Sequence, residues 1–457
     1  MDYLDEKSTD LNYSNTYGDT YVLMKNAGEA ISHFIEKTFT RGKSVIVVCG
    51  TGNNAGDGIA GAELLRESYK VSIILIKGVS GLKTPEARRA INDYHGDYYG
   101  ISEIKDILNS SDIVIDAMLG IGINGEPRKP YNEVINTLNK SGKTIVSIDV
   151  PSGFPSDMAI KPDFTITFTD KKTGMDKSNS GKIIIADIGI PDSVKISVGP
   201  GDLAYIPKFN PQAHKGMNGI AGICAGNLFP GAVVMASLAA YSTAPDLVKV
   251  FSSKSNMDIV LSYNPGIMFY DTALIKREDL NGIVSILIGP GIGRTPAAKK
   301  IIDYIIDNYN GQLIMDADAL RLLTPDRIAG RNAIITPHSV EFKAFTGLEA
   351  TAENAIKIAE QYGITVLLKG VTDIITDGRD IKYSGGGNSR MAMGGTGDIL
   401  AGIVTGLSSR GIKPLRAATA ASYINKKCAD LAFKEYGYYY STLDMINNIK
   451  YILNNKI

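Results

Sequence analysis

Residues 44–58 read SVIVVCGTGNNAGDG, and this stretch decides the fold. Ser44–Cys49 is a short apolar run rich in β-branched residues, as expected of a strand buried on both faces. Gly50–Gly58 then packs four glycines into nine residues, more than one turn needs. Glycines at a strand end let backbone N–H groups approach a ligand closely. Residues 56–67 read as a helix. Strand, glycine loop and helix together form the repeating unit of a doubly wound α/β sheet, which binds ligands at the carboxyl ends of its strands. The alternation continues outward. A helix is predicted at 21–39, strands at 71–76, 112–116, 144–149, 163–168 and 182–186, and helices at 84–94 and 130–139.

A chain of 457 residues exceeds a single core, which stops growing at roughly 250–300 residues. Residues 198–213, VGPGDLAYIPKFNPQA, carry three prolines and no periodicity and read as a linker. The boundary is placed near 206, giving domains 1–205 and 206–457. The second half restarts the alternation, with strands predicted at 220–224, 246–250, 258–262, 284–288, 312–316, 333–336 and 364–368. A helix follows from near 395, with more helix to the end. The halves share no repeat, so two different α/β domains are expected.

Lys+Arg and Asp+Glu both number 48, a formal balance that argues against a nucleic-acid partner. The three cysteines, Cys49, Cys224 and Cys428, show no paired spacing and point to a reduced compartment rather than to a disulfide framework or zinc site. The polar start MDYLDEKSTD is unlike a signal peptide, and no apolar run reaches the roughly 18 residues that span a bilayer. The expectation is a cytoplasmic protein with no membrane partner. Neutral charge and apolar helices point to a homo-oligomer.

Gly120-Ile121-Gly122-Ile123-Asn124-Gly125 matches the dinucleotide fingerprint G-x-G-x-x-G. A Rossmann loop must open directly into a helix. Here Glu126-Pro-Arg-Lys-Pro130 follows, so that reading is rejected. No Walker A string occurs either. The other strand ends are more informative. Asn53, Asn54 and Asp57 lie in the first loop, Asp116 ends IVID, and Asp149 ends VSID before Pro151-Ser152-Gly153. Three carboxylates and two amides on one sheet edge suit a cation held by hard oxygens, or a carboxylate that moves protons.

Taken in order, LMKNAG (23–28), GTGNNAGDG, DAMLGIGINGE and DVPSGFPSD resemble the epimerase domain of the NAD(P)H-hydrate repair enzymes, over nearly all of residues 1–200. The resemblance implies a Rossmann-like three-layer sandwich acting on a nicotinamide nucleotide hydroxylated at C6 of its reduced ring. It implies that Asn53, Asn54, Ala55, Gly56, Asp57 and the run Gly120–Glu126 cradle the nucleotide. Asp149 is implied for substrate and catalysis, and Asn54, Asp116 and Ser152 for a potassium ion. Ala55 departs from the family, where glycine is frequent, and so does Lys25, where an acid is commoner.

In the second half, Gly394-Gly395-Thr396-Gly397-Asp398 leads from a glycine-rich loop into an apolar helix. The start of such a helix aims free N–H groups at an anion, and Asp398 can act as a base beside it. The string resembles the ribokinase-like superfamily. With AHKG (213–216), GPGIG (289–293), MDADA (315–319), TPHSVEF (336–342) and LKG (368–370), it resembles the ADP-dependent NAD(P)H-hydrate dehydratases. Gly291, His338 and Asp398 are thereby implied for the hydrate, and Lys369, Gly370, Asn388, Gly394, Gly395, Thr396 and Gly397 for ADP or ATP. His338 could also be a helix cap, or pair with Glu341 on a metal, although no third ligand is near in sequence. Mg²⁺ would suit the nucleotide chemistry, yet no dedicated cage is visible. The expected protein is a multifunctional isomerase and lyase of small-molecule substrates. Two rivals are a ribokinase-like kinase of a small alcohol of the thiamine-precursor type, and a first domain that only binds nucleotide.

Overall fold

The computed structural model of the chain describes residues 1–122 and 125–454. It divides into two compact units, Met1–Lys195 and Ile196–Ile457. Ile123 and Asn124, both expected in the nucleotide cradle, lie outside the described residues.

In the first unit a parallel sheet holds β1 (Ser44–Cys49), β2 (Lys70–Leu75), β3 (Asp97–Gly100), β4 (Ile113–Ala117), β5 (Thr144–Ile148), β6 (Phe164–Phe168) and β7 (Lys182–Ala186). Their order is β3-β2-β1-β4-β5-β6-β7. The β-branched run of β1 supplies both faces. Val45, Val47 and Cys49 pack with helices Tyr21–Thr38 and Asn53–Leu65, while Ile46 and Val48 pack with Leu138 of helix Tyr131–Asn139. Strand order reverses between β1 and β4, so the loops leaving those strands diverge and open a crevice. They also touch: a Cβ on Gly50 would lie 1.8 Å from the Met118 carbonyl oxygen, so only glycine fits.

Among the elements without a clear sequence signal are the first helix and one strand. Helix Tyr3–Tyr17 is polar, but Asp2 and Asp5 form a capping box at its start, and it buries Tyr13. Strand β3 is a short edge strand with little burial and therefore no apolar signal.

The second unit carries β8 (Ile220–Cys224), β9 (Leu247–Ser252), β10 (Met268–Asp271), β11 (Ser285–Ile288), β12 (Gln312–Met315), β13 (Ala333–Ile335), β14 (Thr365–Leu368), β15 (Asp373–Thr376) and β16 (Ile381–Ser384). The order is β10-β9-β8-β11-β12-β13-β14-β15-β16, parallel through β14 and antiparallel at β15 and β16. The reversal again falls at one place, between β8 and β11. Residues 258–262, expected as a strand, lie in helix Met257–Tyr263, where Val260 is the buried residue. The stretch is Asp-Ile-Val-Leu-Ser, and three apolar residues in a row do not distinguish strand from helix by periodicity.

The units divide at Lys195/Ile196 rather than near 206. The proline-rich stretch belongs to the second unit: Ser197 bridges to Tyr383, the Val198 N–H donates to the Tyr383 carbonyl at 2.9 Å, and Leu203 joins the second unit's core. Prolines removed the periodicity without removing the contacts.

Helix Thr396–Ser409 packs on helix Pro230–Ser242 through glycines. A Cβ on Gly402 would lie 2.3 Å from the Ala236 carbonyl oxygen, and one on Gly406 2.6 Å from that of Ala240. Gly402→Val should therefore overpack this contact and destabilise the second unit by about 1–3 kcal/mol or more. Urea unfolding should show a lower midpoint for the second unit and an unmoved one for the first. An unmoved second transition would contradict this packing.

Candidate active sites

In the first unit the candidate residues converge on the β1/β4 crevice. Asn53 and Asn54 open helix Asn53–Leu65 instead of lying in the loop, with Gly52 as N-cap. Ala55 is thus helical and buried, and alanine meets no left-handed requirement there. Asp149 follows β5 in the left-handed region at φ 66°, held by its N–H to the Ile166 carbonyl at 2.7 Å. Non-glycine residues adopt that conformation at a cost, commonly where a functional side chain must be aimed. A Cβ on Gly120 would lie 3.7 Å from both Asn54 Cβ and Asp149 Oδ2, so these three residues share one corner. Gly122 is covered by the ring of Tyr3 instead, 3.1 Å from its would-be Cβ. Gly125 and Glu126 are exposed, Ile121 is half-buried, and the helix after this loop starts only at Tyr131, as expected of a non-Rossmann loop.

The residue that organises this corner was not among the expected ones. Lys172, 1% exposed, places its ammonium 2.8 Å from Asp149 Oδ1, 3.3 Å from Glu6 Oε2 and 3.0 Å from the Phe168 carbonyl. Beyond it lies a cavity of about 140 Å³ lined by Glu6, Asp10, Asn53, Asp57, Thr169 and Lys172. Asn53 and Asp57 thus face this cavity beside the Asp149 corner. One lysine faces four carboxylates, and three of them, Glu6, Asp10 and Asp57, are shifted upward. Burial, with Asp149 nearby, pushes Glu6 up to about 8. Burial raises Asp10 to about 6 and Asp57 well above the carboxylate range. The available signal was positional: Lys172 comes four residues after β6, at the same sheet edge as Asp116 and Asp149.

Asp116 is fully buried and takes donors on both oxygens. Oδ1 accepts from the Ser152 hydroxyl at 2.5 Å and the Met118 N–H at 3.3 Å, while Oδ2 accepts from the Ser147 hydroxyl at 2.8 Å and the Ser152 N–H at 2.9 Å. The Ser152 hydroxyl also accepts the Leu119 N–H at 2.9 Å, so this cluster clamps the β4 loop. Among the described residues, the buried amide oxygen and nitrogen of Asn54 have no hydrogen-bond partner.

In the second unit, the loops after β8 and β11 bond to each other. The Leu228 and Phe229 N–H groups donate to the Gly291 carbonyl at 2.9 and 3.1 Å. Gly291 sits at φ 60°, and its would-be Cβ lies 2.9 Å from the Phe229 carbonyl oxygen, so the contact requires glycine. Above them is a cavity of about 400 Å³ lined by Phe229, Met235, Gly291, Gly394, Gly395 and Asp398, among others. Helix Thr396–Ser409 starts here, with Gly395 as its left-handed N-cap at φ 98°. Its first N–H groups have no intrahelical acceptor, which makes an anion site. Asp398, in its first turn, is raised to about 7, mainly by burial and then by Asp316, with Lys369 opposing.

Lys369 lies 2.8 Å from Asp316 and 3.6 Å from Glu341, and its ammonium is 3.4 Å from the would-be Cβ of Gly397. It therefore adds positive charge at the same helix start. Three of the expected ligand residues make hydrogen bonds within the unit. His338 is the N-cap of helix Ser339–Thr346: Nδ1 accepts from Val340 and Glu341, and Nε2 lies 3.3 Å from Glu341. Asn388 donates to the Ala429 carbonyl at 3.2 Å and accepts from Tyr440 and Arg390 at 2.9 and 3.1 Å. The Thr396 hydroxyl donates to Met391 and Met393 carbonyls at 2.7 and 3.2 Å. These side chains hold the loop's own backbone. Among the described residues no group of three or more His, Cys, Asp or Glu is placed to hold a metal, and no helix is long and apolar enough to cross a membrane.

The Glu6 shift has a stability consequence of definite sign. From its ordinary value of 4.5 up to about 8, the folded chain holds a proton that the unfolded chain has released. Stability from this group therefore falls as pH rises through that window. The first unit's unfolding midpoint should drop between about pH 5 and pH 8, and Glu6→Gln should flatten the drop. Equal slopes in parent and variant would contradict the burial of Glu6.

Known proteins place this geometry. Residues 20–174 match the family described as YjeF-related protein N-terminus, and residues 221–451 match the family described as NAD(P)H-hydrate dehydratase. Proteins named bifunctional NAD(P)H-hydrate repair enzyme are similar along almost the whole chain. That of Hyperthermus butylicus is 32% identical, covering 95% of this chain and 88% of its own, and that of Archaeoglobus fulgidus is 32% identical, covering 94% and 93%. The ADP/ATP-dependent NAD(P)H-hydrate dehydratase of Bacillus subtilis, solved with ATP and Mg²⁺, is 26% identical with a TM-score of 0.51, covering 56% of this chain and 96% of that one. The alcohol-kinase and binding-scaffold readings are not favoured by relatives that span both halves under one name. The chain belongs to the bifunctional NAD(P)H-hydrate repair enzymes, with an epimerase domain followed by a dehydratase domain.

Proposed function

We propose that the first unit interconverts the R and S epimers of hydrated NADH and NADPH, and that the second dehydrates the S epimer at the expense of ADP or ATP. The observation that carries this reading is the placement of one proton-handling aspartate in each unit at a switch-point crevice. These are Asp149 beside Gly120 and Asn54, and Asp398 beside Gly291, Gly394 and Gly395. Epimer exchange requires a proton to be moved at the C6 hydroxyl, and Asp149, oriented by Lys172, is positioned for that work. The nucleotide would lie along Asn53–Asp57 and the Gly120–Glu126 loop.

Asn54, Asp116 and Ser152 would hold a potassium ion. The Asn54 amide oxygen, without a partner among the described residues, fits such an ion, while Asp116 and Ser152, which bond to each other, would share their oxygens with it. The ion would supply positive charge beside the substrate.

In the second unit, Asp398 takes the hydroxyl proton of the hydrate while the hydroxyl oxygen attacks the terminal phosphoryl group of ADP or ATP. The P–O bond to the nucleotide breaks, and phosphate later leaves C6 while C5 gives up a proton, so that the C5–C6 double bond forms. Free N–H groups at Gly395–Gly397 and the Lys369 ammonium stabilise the charge on the transferred group. Lys369, Gly370, Asn388 and the glycine run carry the adenine nucleotide, with Gly291 and His338 against the hydrate. Mg²⁺ bound with the nucleotide would neutralise phosphate charge. The same reading takes the protein as a cytoplasmic homo-oligomer of small-molecule chemistry, without nucleic-acid or membrane partners.

Mixing the protein with R/S NADPH hydrate, with and without ADP, tests this reading directly. NADPH absorbance should recover fully only with ADP or ATP. A stable phosphorylated alcohol instead would favour a kinase. Asp398→Asn should lower dehydration by about 10²–10⁴-fold with nucleotide still bound; near-parent turnover would remove Asp398 from the reaction.

The base form of Asp398 is required, so the dehydration rate should rise with pH through about 7. Lys369 favours the ionised carboxylate, so Lys369→Met should move that rise to higher pH. A pH profile unmoved by the substitution would contradict their coupling. Asp149→Ala should consume S hydrate quickly and then stall at the rate of spontaneous exchange. Consumption of both epimers at the parent rate would remove Asp149 from the first reaction.

A further inference from the structure

Helix Pro414–Tyr436 runs behind the segment from Lys369 to Asn388, and one of its residues ties several parts of that segment together. Lys426 is 4% exposed. Its ammonium donates to the Val371 carbonyl at 2.7 Å and the Ser384 carbonyl at 2.8 Å, and lies 3.5 Å from Asp373 Oδ1. Three acceptors match the three protons of an ammonium. Asp373 extends the tie: Oδ1 accepts the Gly370 N–H at 2.9 Å, and Oδ2 accepts the Ser422 hydroxyl at 2.6 Å. Ser422 and Lys426 are four residues apart and so share one helix face. The Val371 backbone is thus drawn inward, while its side chain stands 95% exposed.

A buried lysine is costly, and an apolar residue of similar length would fill the same space more cheaply. What the apolar residue cannot do is hold two carbonyls that belong to different loops. Both loops adjoin residues assigned above to the adenine nucleotide: Val371 follows Lys369-Gly370, and Ser384 leads through Gly385–Gly387 to Asn388.

We propose that Lys426 is the positioning residue of the nucleotide site, fixing the Gly370–Val371 and Ser384 backbones where ADP or ATP meets them. The proposal rests on the assignment of Lys369, Gly370 and Asn388 to the nucleotide. Lys426 touches neither nucleotide nor hydrate and acts through these loops.

The test is steady-state dehydration by the full chain with ADP varied. Lys426→Met should raise the KM for ADP about tenfold, with kcat at saturating ADP and the KM for the hydrate within about twofold. Lys426→Arg keeps a charged donor and should recover most of the loss. The Met variant leaves Asp373 without its cation and could unfold the unit. The double variant Lys426→Met/Asp373→Asn removes both charges and should still show the raised KM. Epimer exchange by the same samples reports on the first unit and should stay at the parent rate.

Lys369→Ala, measured in parallel, tests the underlying assignment. If it raises the KM for ADP while both Lys426 variants leave it unmoved, Lys426 is structural only and the proposal falls. A loss of kcat and unfolding midpoint together, with unchanged KM, overturns it equally. If Lys369→Ala also leaves the KM for ADP unmoved, the nucleotide assignment itself fails and takes the proposal with it.

Discussion

Two loops forced into backbone contact where strand order reverses are the constraint on which both sites depend. In the first unit Gly50 lies against the Met118 carbonyl. In the second, Gly291 lies against the Phe229 carbonyl, its would-be Cβ only 2.9 Å away. A side chain at either position would separate the loops leaving adjacent strands. The crevice would widen, and Asn54 with Gly120, or Gly291 with Asp398, would no longer face one space. Glycine here therefore does more than permit a turn: it sets the width of each site.

Each crevice then carries a lysine between two carboxylates, the buried Lys172 between Asp149 and Glu6, and the half-buried Lys369 between Asp316 and Glu341. Buried ion pairs are weak evidence for stability, because desolvation offsets most of their attraction. Their use here is orientation and charge control. Lys172 aims the carboxylate of Asp149 at the Gly120 corner. Lys369 stands at the start of helix Thr396–Ser409, where it favours ionisation of Asp398 against the burial that opposes it. Both units thus solve one physical problem, keeping a carboxylate reactive inside a poorly hydrated pocket, with a single cation.

Much of this was legible in the sequence for a definite reason. Buried parallel strands such as Ser44–Cys49 must be apolar on both faces, and glycine loops must follow them at the binding edge, so local sequence reported the global fold. The helix at Met257–Tyr263 was misread because the three apolar residues Ile259–Leu261 carry no period. The linker was misplaced because prolines erase periodicity while Val198 and Leu203 still pack. Glu6 and Lys426 were invisible for a different reason, and Lys172 was marked only by its place four residues after β6. Their roles come from partners far along the chain, Glu6 to Lys172 and Lys426 to Val371, and nothing local marks a lysine that folding will bury. His338 and Asn388 show the converse. Their motifs were noticed, and their side chains are spent on a helix cap and a loop.

The central claim is that one chain carries two separate sites whose reactions join through free substrate. Complementation tests it most directly. Pure R NADPH hydrate is supplied with ADP to Asp149→Ala protein, to Asp398→Asn protein, and to an equal mixture of the two, and NADPH is followed by absorbance. Each variant alone should form NADPH no faster than spontaneous exchange or residual dehydration allows. The mixture should convert all the hydrate, because one variant supplies the S epimer and the other consumes it. Rapid conversion of R hydrate by either variant alone, or no recovery in the mixture, would contradict two independent sites.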